Sequence, residues 1–113
     1  MEDLADKRCK PCEGGVDPLS AEQARKFMQA LHEDWKLSPD ADRIEREFRF
    51  PAFSRTIAFV NAVAFIATNE GHHPELNVTY GTCRVGYYTT AIDGLSDNDF
   101  ICAAKIDRIA ADI

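Results

Sequence analysis

The stretch Arg43-Ile44-Glu45-Arg46-Glu47-Phe48-Arg49-Phe50 decides the fold. Ile44, Phe48 and Phe50 share one face with Arg46, while Arg43, Glu45, Glu47 and Arg49 share the other. Strand side chains alternate between faces, so this pattern predicts a half-buried antiparallel strand with a solvated, charged side. Just beyond it, Ser54 can cap a helix that runs to about Asn69 or Glu70, and Gly71 stands where a left-handed C-terminal cap is needed. Ile57, Val60, Ala64 and Ala67 lie along one side of this helix, and Phe59, Val63 and Ile66 form a second apolar row. A helix apolar on two sides buries more than one face, which in so short a chain predicts contact with another subunit.

The other elements extend outward from this pair. Ser20 with Gln23 matches a capping box, and Ala24, Phe27, Met28 and Leu31 follow at helical spacing, predicting a helix from Ala21 to His32. Trp35 to Ser38 is a short strand, ended by a turn at Pro39-Asp40-Ala41-Asp42. Leu76, Val78 and Tyr80 alternate with Asn77 and Thr79 as a third strand, Gly81-Thr82 is a turn, and Cys83 to Thr90 forms a fourth strand. Ser96 with Asp99 resembles a second capping box, followed by Cys102, Ile106, Ile109 and Ile113 at helical spacing. Residues 1–18 read as an irregular N-terminal arm, and 19–113 as one domain. Two antiparallel hairpins with segregated helices make an α+β fold with helices on one sheet face.

At 113 residues and formal charge −6 the chain is one small acidic domain. Its Lys and Arg residues are scattered, with only Lys7, Arg8 and Lys10 clustered, which excludes a nucleic-acid backbone as main partner. The longest apolar stretch, Ile57 to Ala67, is interrupted by Asn61 and too short to span a bilayer. Glu2, Asp3 and Asp6 open the chain, unlike a secretory signal, so a cytoplasmic location is expected. There the four cysteines need not be disulfides.

Chemistry concentrates at Gly71-His72-His73-Pro74. Two adjacent imidazoles just after a helix end suit proton transfer, and Pro74 restricts His73 to an extended backbone. On spacing alone an adjacent histidine pair is a weak motif and reads more readily as polar loop residues. The surrounding text changes that weighting. Glu70-Gly71-His72-His73-Pro74-Glu75-Leu76, then Tyr80-Gly81, Gly94-Leu95-Ser96 and Asn98-Asp99-Phe100-Ile101, resembles the pterin-4a-carbinolamine dehydratase family. Ala58 to Ala64 and the arm Cys9-Lys10-Pro11-Cys12-Glu13-Gly14-Gly15 are similar to its bacterial members.

The resemblance implies three helices against a four-stranded antiparallel sheet, and homodimers or homotetramers. It implies dehydration of 4a-hydroxytetrahydropterin by histidine acid–base catalysis, without metal or organic cofactor. His72 and His73 match the first two family histidines, and Pro74, Tyr88 and Asp99 match pterin-binding positions. The third histidine should lie eighteen residues after His72 and four before Gly94, which is Thr90. The family's acidic residue four before the first histidine falls on Thr68. A threonine hydroxyl can hold a water but does not exchange a proton near neutral pH. Each acid–base group contributes on the order of 10²–10⁴-fold.

Two functions follow. Thr90 and Thr68 favour a non-catalytic member acting through protein contacts, most nearly a Rubisco assembly factor associated with carboxysomes. His72, His73, Pro74 and Asp99 favour a working dehydratase with an altered site, in which Glu70, Asp93, Tyr87 or Tyr88 are substitute groups.

Weaker signals read as structure. Cys9-x-x-Cys12 has metal-ligand spacing, but zinc wants four ligands, so an incidental pair or a transient disulfide is expected. His32 is expected to support the first helix's C-terminus and Trp35 to lie in the core. Tyr87 and Tyr88 point to opposite sheet faces.

Overall fold

The computed structural model describes residues 3–11 and 16–112; Cys12, Glu13, Gly14, Gly15 and Ile113 lie outside them. The first helix, α1 (Ala21–Met28), starts as its capping box predicts. Ser20 Oγ accepts the Gln23 N–H at 3.1 Å, and Gln23 Oε1 accepts the Ser20 N–H at 2.9 Å. It ends four residues earlier than the periodicity suggests. The N–H groups of Gln29, Ala30 and Leu31 bond three residues back, tightening the chain into turns. This redirection lets Leu31 and Trp35 enter the core, while the His32 N–H bonds Asp107 Oδ2 at 2.9 Å. His32 thus sits beyond α1, its Nδ1 accepting the Asp34 N–H.

Strands β1 (Lys36–Leu37), β2 (Ile44–Arg49), β3 (Glu75–Val78) and β4 (Thr82–Tyr87) form one antiparallel sheet in the order β1-β2-β4-β3. The alternation in β2 is as predicted. Ile44 and Phe48 are buried, and cross-strand pairing sets them opposite Tyr87 and Cys83. On the far face Glu45, Glu47 and Arg49 run beside Arg84 and Glu75, with Glu47 bridging Arg49 at 2.8 Å and Arg84 at 3.9 Å. Surface pairs of this kind contribute little stability and keep that face wet.

The second helix, α2 (Phe53–Glu70), begins one residue before Ser54, with Ala52 as N-cap, and stops at Gly71 with φ 67°. Only a residue free of Cβ crowding adopts that conformation cheaply. Phe59, Val63 and Ala67 form its buried row, whereas Ala64 and Phe65 face solvent. Phe59 packs against Phe48 with its ring tilted (ring centroids 4.5 Å), and Phe27 of α1 stacks on Phe100 of α3 (Asp97–Ala110) at 5.0 Å. Three helices therefore cover the apolar sheet face. No helix among the described residues is long and apolar enough to cross a membrane.

The fourth strand is shorter than its β-branched run suggests. After Tyr87 only Thr89 continues, as an isolated bridge to Gly94, and Thr90–Ile92 turns into a 3₁₀ helix. Its C-cap Asp93 takes a left-handed backbone (φ 51°), which reverses the chain toward α3. The arm also holds a 3₁₀ turn, Leu4–Asp6, and lies against α3.

Asp107 ties this architecture together on the side away from the histidines. Its Oδ1 accepts from Trp35 Nε1 and Arg46 Nη1, each at 2.7 Å, while Oδ2 takes the His32 N–H. Arg46, stacked 4.2 Å over Phe48, has a buried Nε with no partner, so Asp107 carries most of its compensation. Asp107→Ala is expected to lower stability by about 2–4 kcal/mol, because it strands a covered guanidinium and an indole N–H. Urea unfolding checks this, with Glu47→Ala on the exposed face expected to change it by less than about 0.5 kcal/mol.

Candidate active site

The C-terminus of α2 places the site. Gly71 reverses the chain, its N–H and that of His72 close on α2 carbonyls, and His72 turns inward rather than out. The His72 ring is buried and its Nε2 lies 2.6 Å from Asp99 Oδ1. Tyr87 stacks on it (centroids 5.3 Å, planes 11° apart) and donates its hydroxyl to the His72 carbonyl at 3.3 Å. Asp99 is itself fully buried. Its Oδ2 accepts from Thr89 Oγ1 at 2.8 Å and from the Ser96 N–H at 2.9 Å, the latter closing the start of α3.

Burial works against a charged imidazole, but the hydrogen bond and negative charge of Asp99 outweigh it. The His72 pKa is therefore raised above its ordinary value. The pair is an anchored imidazole–carboxylate contact, held by three segments at once.

A cleft of about 360 Å³ opens in front of this pair, lined by His72, His73, Pro74, Tyr88, Thr89 and Thr90 among others. Such a volume lies at the lower end for small-molecule sites. His73 is exposed at this cleft, free of the packing that immobilises His72. Thr90 lines the same cleft from the 3₁₀ turn. Tyr88 flanks it with Arg43 over its ring at 5.5 Å. That guanidinium also meets Glu75 at 2.9 Å and lies across Gly86, where a Cβ would come within 2.2 Å of Arg43 Nη2.

His72, His73, Pro74, Tyr88 and Thr90 are thus brought together, and two expected positions are not. Asp99 lies behind His72 and reaches the cleft only through it. Thr68 stays on the exposed side of α2, where its carbonyl accepts the Gly71 N–H. Glu70 faces the arm, where its carboxylate meets the Cys9 N–H at 2.8 Å and Arg8 at 2.9 Å. Burial would raise its pKa, yet Cys9, Lys105 and Arg8 hold it below the usual carboxylate range. Asp93 stands nearer Arg43 than the histidines. Thr89, which fixes Asp99, was not singled out from sequence; the Ser96/Asp99 box was the available signal that Asp99 points inward. Among the described residues no three His, Cys, Asp or Glu side chains are grouped to hold a metal.

The family model described as pterin 4 alpha carbinolamine dehydratase matches residues 17–109. The chain belongs to this family. A relative from Nitrosomonas eutropha, provisionally named pterin-4-alpha-carbinolamine dehydratase, is 53% identical over 107 residues, covering 95% of this chain and 93% of that one. One from Legionella pneumophila (strain Corby), named in the same way, is 47% identical over 110 residues, covering 97% of each.

Among solved structures, a transcriptional coactivator/pterin dehydratase from Brucella melitensis superposes with TM-score 0.77 at 28% identity, over 83% of this chain and 99% of that one. A pterin dehydratase-like protein described as a RuBisCO assembly factor of the alpha-carboxysome gives 0.60 at 21% identity, over 70% and 92%. The latter likeness is one of fold.

The anchored pair has a pH signature. Because folding raises the His72 pKa, its contribution is fully present below the unfolded value near 6.5 and is lost as pH rises through the folded value. Unfolding free energy followed from pH 5 to pH 9 should fall across that window in the wild type. In His72→Gln this component should vanish, leaving a flatter profile.

Proposed function

We propose that this pterin dehydratase-family protein binds a reduced pterin in the His72–His73 cleft and dehydrates its 4a-carbinolamine, at a rate limited by Thr90. The observation that carries this reading is the retained cleft, with His72 locked on buried Asp99 and His73 free in front of it. Dehydration needs a proton delivered to the departing C4a hydroxyl and the N5 proton removed as the quinonoid product forms. The N5 lone pair expels the hydroxyl as water. His73 is the exchangeable group, and His72, anchored on Asp99, fixes the substrate's orientation. Thr90 holds a water but supplies no second titrating group, so one imidazole serves both transfers.

The test is the dehydration rate of 4a-hydroxytetrahydropterin. Wild type should exceed background, His73→Ala should return to background, and Thr90→His should gain about 10²-fold. A wild type at background that Thr90→His does not raise would remove the enzymatic reading.

A second reading, action through protein contacts, is favoured by a different observation. Phe53, Phe65, Leu76, Val78 and Tyr80 are exposed, with Phe65 at 71% and Tyr80 at 69%, on α2 and around the edge strand β3. Leu76 and Val78 pair with buried Val85 and Cys83, so they point to the helix side yet lie open. Apolar side chains beside an unpaired strand edge are suited to a second copy of this chain. Homo-oligomerisation is the contact we propose first, and a Rubisco client in a carboxysome-associated assembly role is the further possibility that Thr68 and Thr90 support. Sedimentation should show an oligomer in the wild type that Leu76→Lys with Tyr80→Lys reduces to monomer; a monomeric wild type would end this reading.

A further inference from the structure

Cys9 does not stand alone in the arm. Its Sγ lies 3.5 Å from Sγ of Cys102, the two separated by 93 positions in the chain. Cys9 is half-buried and reachable from solvent, whereas Cys102 is fully buried in α3. Their approach is held by the arm's other bonds. The Cys9 N–H binds Glu70, and Lys10 exchanges two hydrogen bonds with the Asn98 side chain at 3.0 and 2.7 Å. Further along, Lys105 Nζ donates to the Ala5 carbonyl at 2.8 Å and Arg108 meets Asp6 at 2.9 Å. The thiols are therefore in register, close to the separation from which a disulfide forms by a small side-chain rotation.

We propose that Cys9 and Cys102 form a thiol–disulfide exchange site that takes a small disulfide of the glutathione class and clips the N-terminal arm to α3. This rests on the dithiol geometry alone and stands apart from the pterin reading. In the first step the Cys9 thiolate attacks one sulfur of the small disulfide, giving a mixed disulfide on Cys9 and releasing one thiol. In the second, Cys102 attacks Cys9 Sγ, forming the Cys9–Cys102 bond and releasing the second thiol. Two protein thiols are oxidised, losing two electrons and two protons, and one small disulfide is reduced to two thiols.

The surroundings assign the order. The bond to Cys9 lowers the Cys102 pKa against the pull of burial, helped by the Tyr87 hydroxyl and the positive charge of His72. The same bond to Cys102, together with burial, pushes the Cys9 thiol up. Exposure sets which thiol enters first: half-buried Cys9 meets the small disulfide, and fully buried Cys102 resolves it. Cys83, whose thiol burial raises to about 11, is a spectator in the sheet.

The experiment uses the full chain carrying Cys12→Ser, incubated folded with glutathione disulfide, alkylated and mapped by mass spectrometry. The expected product is a dithiothreitol-reversible Cys9–Cys102 crosslink without lasting glutathione adduct, melting at least about 5 °C above the reduced form. Adding Cys102→Ser should leave the glutathione adduct trapped on Cys9. The proposal is overturned if the adduct persists on Cys9 with Cys102 present, or if neither thiol reacts in the folded protein while both react when unfolded. It is also overturned by an unchanged melting temperature after crosslinking, or by a Cys9–Cys12 bond as the main product in the unsubstituted chain.

Discussion

Everything around the cleft depends on one buried carboxylate. Asp99 has no access to water and distributes its two oxygens among the His72 imidazole just after α2, the Thr89 hydroxyl just after β4 and the N–H of Ser96, the N-cap of α3. A carboxylate so placed is costly to bury unless every lone pair is used, and here the cost is offset by a charge-assisted bond and two neutral ones. The three segments cannot shift relative to one another without exposing that charge to an apolar interior. The site is therefore rigid because of a group that does not touch the cleft.

Thr90 sits on a 3₁₀ turn and is exposed, whereas Asp99 is held by His72, Thr89 and the Ser96 N–H. A substitution there alters the acid–base capacity of the cleft while leaving its walls standing. Replacing Thr89, one residue earlier, would instead remove a bond from the buried carboxylate. Two adjacent threonines thus play unlike parts, one in the frame and one in the opening.

Much of the fold was legible because it followed from period and capping. The two-residue alternation in β2, the Ser20–Gln23 box and the Gly71 stop all appear where the residues predict them. What failed were ends decided by tertiary partners. Asp107, far along the chain, draws the backbone after α1 toward itself by taking the His32 N–H. The β-branched run after Tyr87 leaves the sheet because Thr89 turns to Asp99 and Asp93 adopts a left-handed backbone. The histidine pair and Thr90 were found by motif and count, and the structure does bring them to one cleft. Thr68 lies on the exposed side of α2, since counting along a helix gives position but not the side a residue faces. The Cys9–Cys102 contact was invisible from sequence, since C-x-x-C spacing draws attention to the nearer partner.

The arm carries a consequence for the segment that the family model matches. The family match starts at residue 17, yet residues 3–11 cover Glu70 so completely that its side chain keeps only 3% exposure, with Arg8 as its close ion-pair partner. Lys105 lies 3.9 Å away on the other side and spends a hydrogen bond on the arm's own backbone. A chain trimmed to residues 17–109 would open this carboxylate, its lysine and the sulfur of Cys102 to water together. The arm that covers them lies outside the family model yet is shared with the bacterial relatives, whose likeness spans 95% or more of this chain.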